Sequence, residues 1–192
     1  MAHLKRLYVI RHGKPSATWG GDDDDPGLDE TGQAQARAAR DWLMALPPDE
    51  RPTKVVSSPL RRCRETAVPT AEALGVEIEV DVRVGEIPTP AALSAEERGP
   101  WLRKSFAGTW AEIEGDLDYD AWRREITASL AARGHTAVFS HYVATNAVVS
   151  ELLGVPQVLA FRPDHASITI LETDGTTLRL VEKGREATTS VL

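Results

Sequence analysis

Three short polar clusters carry side chains suited to one kind of chemistry, the handling of a phosphoryl group. Arg11-His12-Gly13 ends the apolar run Leu7-Tyr8-Val9-Ile10, Arg61-Arg62 opens a helical stretch, and His141 follows the apolar run 136–140. A neutral imidazole can attack phosphorus and hold the group as phosphohistidine. Guanidiniums offer forked donors and permanent charge that suit phosphate oxygens, and a helix N-terminus adds backbone N–H groups of the same polarity. A second imidazole, once protonated, would stabilise the equatorial oxygens during transfer, while Gly13 lets the backbone approach a ligand closely. The reaction also needs a carboxyl group, first to protonate the departing alkoxide and then to take a proton from water. Alone, each cluster is weak: Arg-His-Gly is short, a histidine after a strand is often structural, and Arg62 reads as well as a surface helix residue.

The clusters act together only if the fold brings them to one place. Residues 7–10 read as a buried first strand of a parallel sheet, and 14–27, rich in Gly, Pro and Asp, as a loop with the run Asp22 to Asp25 on its solvated face. Residues 29–46 read as a helix capped by Asp29, with Ala34, Ala38, Trp42 and Leu46 recurring along it. A second strand over 54–57 leads into a helix over 60–74 closed by Gly75, and 76–80 alternates as a sheet or edge strand with the acid Glu86 soon after. Residues 88–130 form a polar helical insertion whose Trp101, Trp110 and Trp122 either pack it onto the body or wall a pocket. A strand over 136–140, a helix over 143–153 and a hairpin of 167–171 with 177–181 around Asp174-Gly175 follow, with a flexible tail after Gly184. The alternation predicts an α/β fold, a three-layer α/β/α arrangement around a mostly parallel sheet. In such sheets the carboxyl ends of the strands share one edge, where ligands bind, so the three clusters would meet in one crevice.

The 192 residues suit one domain over 1–192, and 42% hydrophobic content can fill its core. Acidic residues outnumber basic ones by 29 to 22, a net charge of -7, which argues against nucleic acid as the partner but not against a small anion. Cys63 is the one cysteine, so no intramolecular disulfide forms, and it reads as a small buried hydrophobe. The N-terminal apolar run is too short for a signal peptide and no stretch approaches the length of a membrane span, which gives a cytoplasmic expectation. The five histidines show no close ligand spacing, so neither metal nor cofactor is expected.

The ordered set of motifs resembles the histidine phosphatase superfamily, in the branch of cofactor-dependent phosphoglycerate mutases and related phosphatases. Leu7 to Gly13 resembles the strand with its nucleophile, Leu28 to Ala36 the next turn and helix, Ser57 to Ala67 the second arginine motif, and His141 after Val138-Phe139-Ser140 the second histidine. The resemblance runs from residue 7 to about residue 171 and implies His12 as nucleophile, Arg11, Arg62 and His141 as phosphate ligands, and Glu86 as the acid that moves the proton. Departures lie in the surroundings: Lys14-Pro15-Ser16 after the glycine, no asparagine near Thr18-Trp19-Gly20, Ile87-Pro88-Thr89-Pro90 after the acid, and Tyr142-Val143 in place of two glycines. Lys14 and Tyr142 thereby become candidate substrate contacts beside Gly13. The resemblance implies a phosphatase of small phosphorylated molecules. A phosphoglycerate-type mutase, a protein phosphohistidine phosphatase and a noncatalytic phosphate-binding protein are the alternatives, with a homodimer one arrangement of the chain.

Overall fold

Both parities of the first apolar run are buried, Leu7 and Val9 in one hydrophobic cluster and Tyr8 and Ile10 in another. A strand with helices over both faces has this property, because successive side chains point to opposite sides. The computed structural model describes residues 3–17 and 23–188. Its strands are β1 (Lys5–Arg11), β2 (Lys54–Ser57), β3 (Ile78–Val80), β4 (Thr136–Ser140), β5 (Ile168–Thr173) and β6 (Leu178–Glu182). Its α-helices are α1 (Glu30–Met44), α2 (Arg61–Leu74), α3 (Ala95–Phe106), α4 (Tyr119–Ala131) and α5 (Tyr142–Leu153). The sheet order is β3-β2-β4-β1-β5-β6; the first four strands in chain order are mutually parallel, β5 runs antiparallel to β1, and β6 runs antiparallel to β5. Helices α1 and α2 pack together over the face of Tyr8 and Ile10, and α4 and α5 over the other. The α/β/α layering expected from the sequence is thus observed.

The expected face of α1 differs. Gly32, Ala36, Ala39 and Leu43 are its buried residues, whereas Ala34, Ala38 and Trp42 are exposed. A strict four-residue repeat precesses by about 40° per step around a helix of about 3.6 residues per turn, while the 4-3-4 spacing of the buried set stays on one line. Asp29 caps this helix by accepting from Gly32 N at 2.7 Å. At Gly32 the helix meets the loop after β1 backbone to backbone: a Cβ there would lie 2.2 Å from Lys14 O, and one on Gly13 would lie 2.7 Å from Gly32 O. The two glycines allow α1 to press the loop after β1 against the sheet. Gly75 ends α2 at φ 67°, in the left-handed conformation expected of a closing glycine.

Between Pro88 and Ala131 lie α3, a 3-10 turn at Trp110–Glu112, and α4. The tryptophans serve packing: Trp110 is buried and donates to Ser150 Oγ on α5 at 2.9 Å, Trp122 lies 6.0 Å from it, and Trp101 donates to Glu114 O. The expected tail does not begin at Gly184. Gly184 N donates to Thr169 Oγ1, Asp164 N to Arg185 O and Ala187 N to Arg162 O, because the chain after β6 continues along the loop that precedes β5. The rest of that expectation, 189–192, lies outside the described residues. Among those residues no helix is long and apolar enough to cross a membrane.

Candidate active site

The sheet register assembles the polar clusters. Arg11 pairs with Ser140, so the next residues, His12 and His141, emerge side by side; His12 N donates to Ser140 O at 3.0 Å, and the ring centroids are 5.4 Å apart. On the other side of β4, Ser57 pairs with Phe139, which brings Ser58 and the start of α2 to the same edge. Arg62, in the first turn of α2, reaches both rings: its Nε donates to His12 Nε2 at 3.2 Å, and its Nη2 lies 3.3 Å from His141 Nδ1. Thr66 ties the loop to the helix, accepting from Gly13 N at 2.9 Å and donating to Arg62 O at 2.7 Å.

These contacts fix the imidazoles. His12 Nδ1 lies 2.8 Å from Gly13 O, and since a carbonyl can only accept, Nδ1 carries the hydrogen and Nε2 presents its lone pair. Arg62 can only donate to His141 Nδ1, so His141 Nε2 carries its hydrogen toward Ser58 Oγ at 2.8 Å. Burial, and then the positive charge of Arg11, Arg62 and the neighbouring ring, push His12 well below the usual imidazole range. Burial followed by Arg62 and Arg11 does the same for His141. Both rings are neutral without ligand.

Arg11 is 5% exposed, and burial lowers its guanidinium to about 10. Nη1 donates to Pro163 O at 2.9 Å, but Nε, fully buried, has no partner among the described residues. An unpaired buried guanidinium N–H is costly, and an oxygen of a bound anion would satisfy it. Tyr142 forms a wall here, its ring centroid 5.0 Å from Arg11 Cζ and 5.6 Å from Phe106. Glu86 follows the 3-10 turn Val82–Val84, which Ser140 Oγ anchors at Val84 O. Its carboxyl sits at the N-terminus of α5, accepting from Val143 N at 3.1 Å, Ala144 N at 2.9 Å and its own neighbour Ile87 N at 2.9 Å. Burial nevertheless raises its pKa, against those N–H groups and Arg62. A proton held there can be given up and taken back.

Arg11, His12, Gly13, Arg62, Glu86, His141 and Tyr142 are thus in one place. Lys14 is different: its Nζ pairs with Asp29 at 3.0 Å, half-exposed on the rim. Cys63 is buried, its thiol donating to Ser140 O and pushed up by burial, so it is no thiolate. The Thr18-Trp19-Gly20 neighbourhood lies outside the described residues. Sequence pattern alone assigns no role to Ser58, which lies within the Ser57 to Ala67 motif, nor to His165, whose ring lies 5.9 Å from that of His12. Burial and then Arg11 lower His165 to about 4, with Lys14 adding to this and Asp164 and Asp29 opposing it. Among the described residues no three His, Cys, Asp or Glu are grouped to hold a metal ion.

These depressed imidazoles make folding sensitive to pH. An unfolded histidine gains a proton as pH falls through about 6.5, whereas folded His165 does so only near pH 4, so protonation favours the unfolded state in that window. The dependence of unfolding free energy on pH should therefore be steeper in the native protein than in His165→Asn by up to about one proton between pH 6.5 and 4. Urea titrations at pH 7, 6 and 5 measure it; parallel curves would contradict the neutral, part-buried ring.

The chain is 33% identical over 140 residues to the glucosyl-3-phosphoglycerate phosphatase of Mycobacterium tuberculosis, an alignment covering 67% of this chain and 61% of that protein's length. It is 28% identical over 173 residues to a probable phosphoglycerate mutase of Salmonella paratyphi C, covering 80% and 77%. The mycobacterial phosphatase in its complex with inorganic phosphate has a similar structure, with a TM-score of 0.69 at 26% identity, covering 97% of this chain and 100% of that one. The model of the histidine phosphatase superfamily matches residues 7–185. The strand-end imidazoles, the arginine between them and this match over nearly the whole sequence make one statement: the chain belongs to branch 1 of the histidine phosphatase superfamily.

Proposed function

We propose that the protein is a metal-independent phosphomonoester hydrolase that acts on a small phosphorylated metabolite through a phosphohistidine at His12. The observation that carries this reading is the tautomer of His12: Nδ1 is held by Gly13 O, and Nε2 faces a buried group of cations in which Arg11 Nε has no partner among the described residues. A phosphate ester dianion entering this group takes donors from Arg11 and Arg62, and Arg62 exchanges its contact with His12 Nε2 for a phosphoryl oxygen. The anion's charge reverses the field that kept the rings neutral, so His141 can take up a proton and donate to the equatorial oxygens. His12 Nε2 then forms a bond to phosphorus as the P–O ester bond breaks, and Glu86 gives its proton to the leaving alkoxide. The carboxylate left behind, stabilised by the α5 N–H groups, takes a proton from water as its oxygen attacks phosphorus, releasing inorganic phosphate and restoring His12. Lys14 and Tyr142 contribute at the rim and the wall.

A phosphoglycerate-type mutase is the second reading, supported by the similarity to the Salmonella protein. Both are tested with phosphoglycerates, sugar phosphates and nucleotides in the presence of a chelator. Release of inorganic phosphate is the expected result. Isomerisation that depends on a bisphosphorylated primer, with little phosphate released, would transfer the assignment to the mutase.

A further inference from the structure

His165 lies outside the set that moves the phosphoryl group, yet its placement is specified closely. Residues 164–167 form a turn in which Ser167 N donates to Asp164 O and Asp164 Oδ1 accepts from His165 N at 2.8 Å. The turn is fastened to the nucleophile strand, with Ala166 N donating to His12 O at 3.2 Å and Arg11 N to Ser167 O at 3.2 Å. From outside, Arg185 donates to Asp164 Oδ2 and to His165 O. Ala166 has φ 56°, a left-handed conformation that costs a non-glycine residue about 1 kcal/mol or more, and the fastenings hold it there.

Depth separates His165 from the other two rings. His12 is 6% exposed and His141 fully buried, whereas His165 is only part-buried. With the phosphoryl group at the depth of His12, the shallower ring of His165, 5.9 Å away, is within reach of the organic remainder of the substrate. The ring nitrogens of His165 make no hydrogen bond within the described residues, and it bonds Asp164 and Arg185 through its backbone. A neutral imidazole has one donor and one acceptor, the complement of a hydroxyl group. Resting on the reading of His12 as phosphoryl acceptor, we infer that His165 is a specificity residue that hydrogen-bonds a hydroxyl on the leaving group, selecting phosphate esters of polyols or sugars over apolar ones.

Non-hydrolysable phosphonates separate this inference from turnover. Dihydroxybutylphosphonate mimics glycerol phosphate, and butylphosphonate has the same chain without hydroxyls. Titration calorimetry should give the native protein a preference for the first of about tenfold, the size expected of one net hydrogen bond. His165→Ala should lose that preference, and His165→Asn, which keeps a donor and an acceptor, should retain most of it. No preference in the native protein, or the same preference in His165→Ala, would overturn the inference. Failure of both phosphonates and of inorganic phosphate to bind would instead remove the hydrolase reading beneath it.

Discussion

His12→Ala is expected to lower phosphate release by about four orders of magnitude or more and to abolish labelling of the protein by a radioactive phosphate ester. The magnitude follows from losing the atom that bonds phosphorus, for which the remaining donors cannot substitute. The label in the native protein should be lost in acid and survive in base, as a phosphoramidate does. The fold should persist: among the described residues the His12 side chain bonds only its own neighbour Gly13 and Arg62, and Arg62 keeps His141. A circular dichroism spectrum and melting curve close to those of the native protein, beside the lost activity, would separate chemistry from structure. Labelling that survives in His12→Ala would move the nucleophile to another ring, with His141 and His165 the ones to replace next.

Glu86→Gln is expected to slow the hydrolysis of alkyl phosphates by about 10²- to 10³-fold, the range usual for a positioned acid. A p-nitrophenyl ester should lose far less, since its phenolate departs without a proton. That contrast is the diagnostic, because a merely structural loss would slow both esters equally. The pH profile gives a second measure. Burial raises the carboxyl pKa, so the proton-bearing form persists above the ordinary carboxylate range and is lost as pH rises through the raised value. The resulting decline in kcat/KM for alkyl esters should disappear in the glutamine variant. Glutamine has one acceptor oxygen where the carboxylate uses two for Ile87, Val143 and Ala144, so a stability loss of about 1 kcal/mol should accompany the change.

The sheet and its helices were legible in the sequence because strand ends and helix starts carried their own punctuation. The parallel topology then sent Arg11, His12, Arg62 and His141 to one edge. What was not legible depends on partners distant in sequence. His165 gave no local signal; its place follows from the antiparallel pairing of β5 with β1, in which Ile168 stands opposite Ile10 and residues just before 168 must lie beside His12. Lys14 reads as a free cation until the α1 N-cap Asp29 is folded beside it. The four-residue repeat points to the wrong line of α1 because it coincides with a helical stripe only over short spans. The segment after Gly184 has a loose composition, yet it finds hydrogen-bond partners in a loop about twenty residues earlier.

β1, which carries His12 at its end, is also the strand that waits longest in the growing chain for its second neighbour. β1 receives β4 on one side, but its other side waits for β5, the fifth of six strands in chain order. Until Ile168–Thr173 has been synthesised and docked, the backbone groups from Lys5 to Ile10 form an open edge bearing Leu7, Tyr8, Val9 and Ile10. Such an edge is a template for intermolecular pairing. Early termination or slow synthesis between about residues 141 and 173 therefore leaves this edge available for such pairing. A chain that has already made Arg11, His12, Arg62 and His141 is still adhesive along β1.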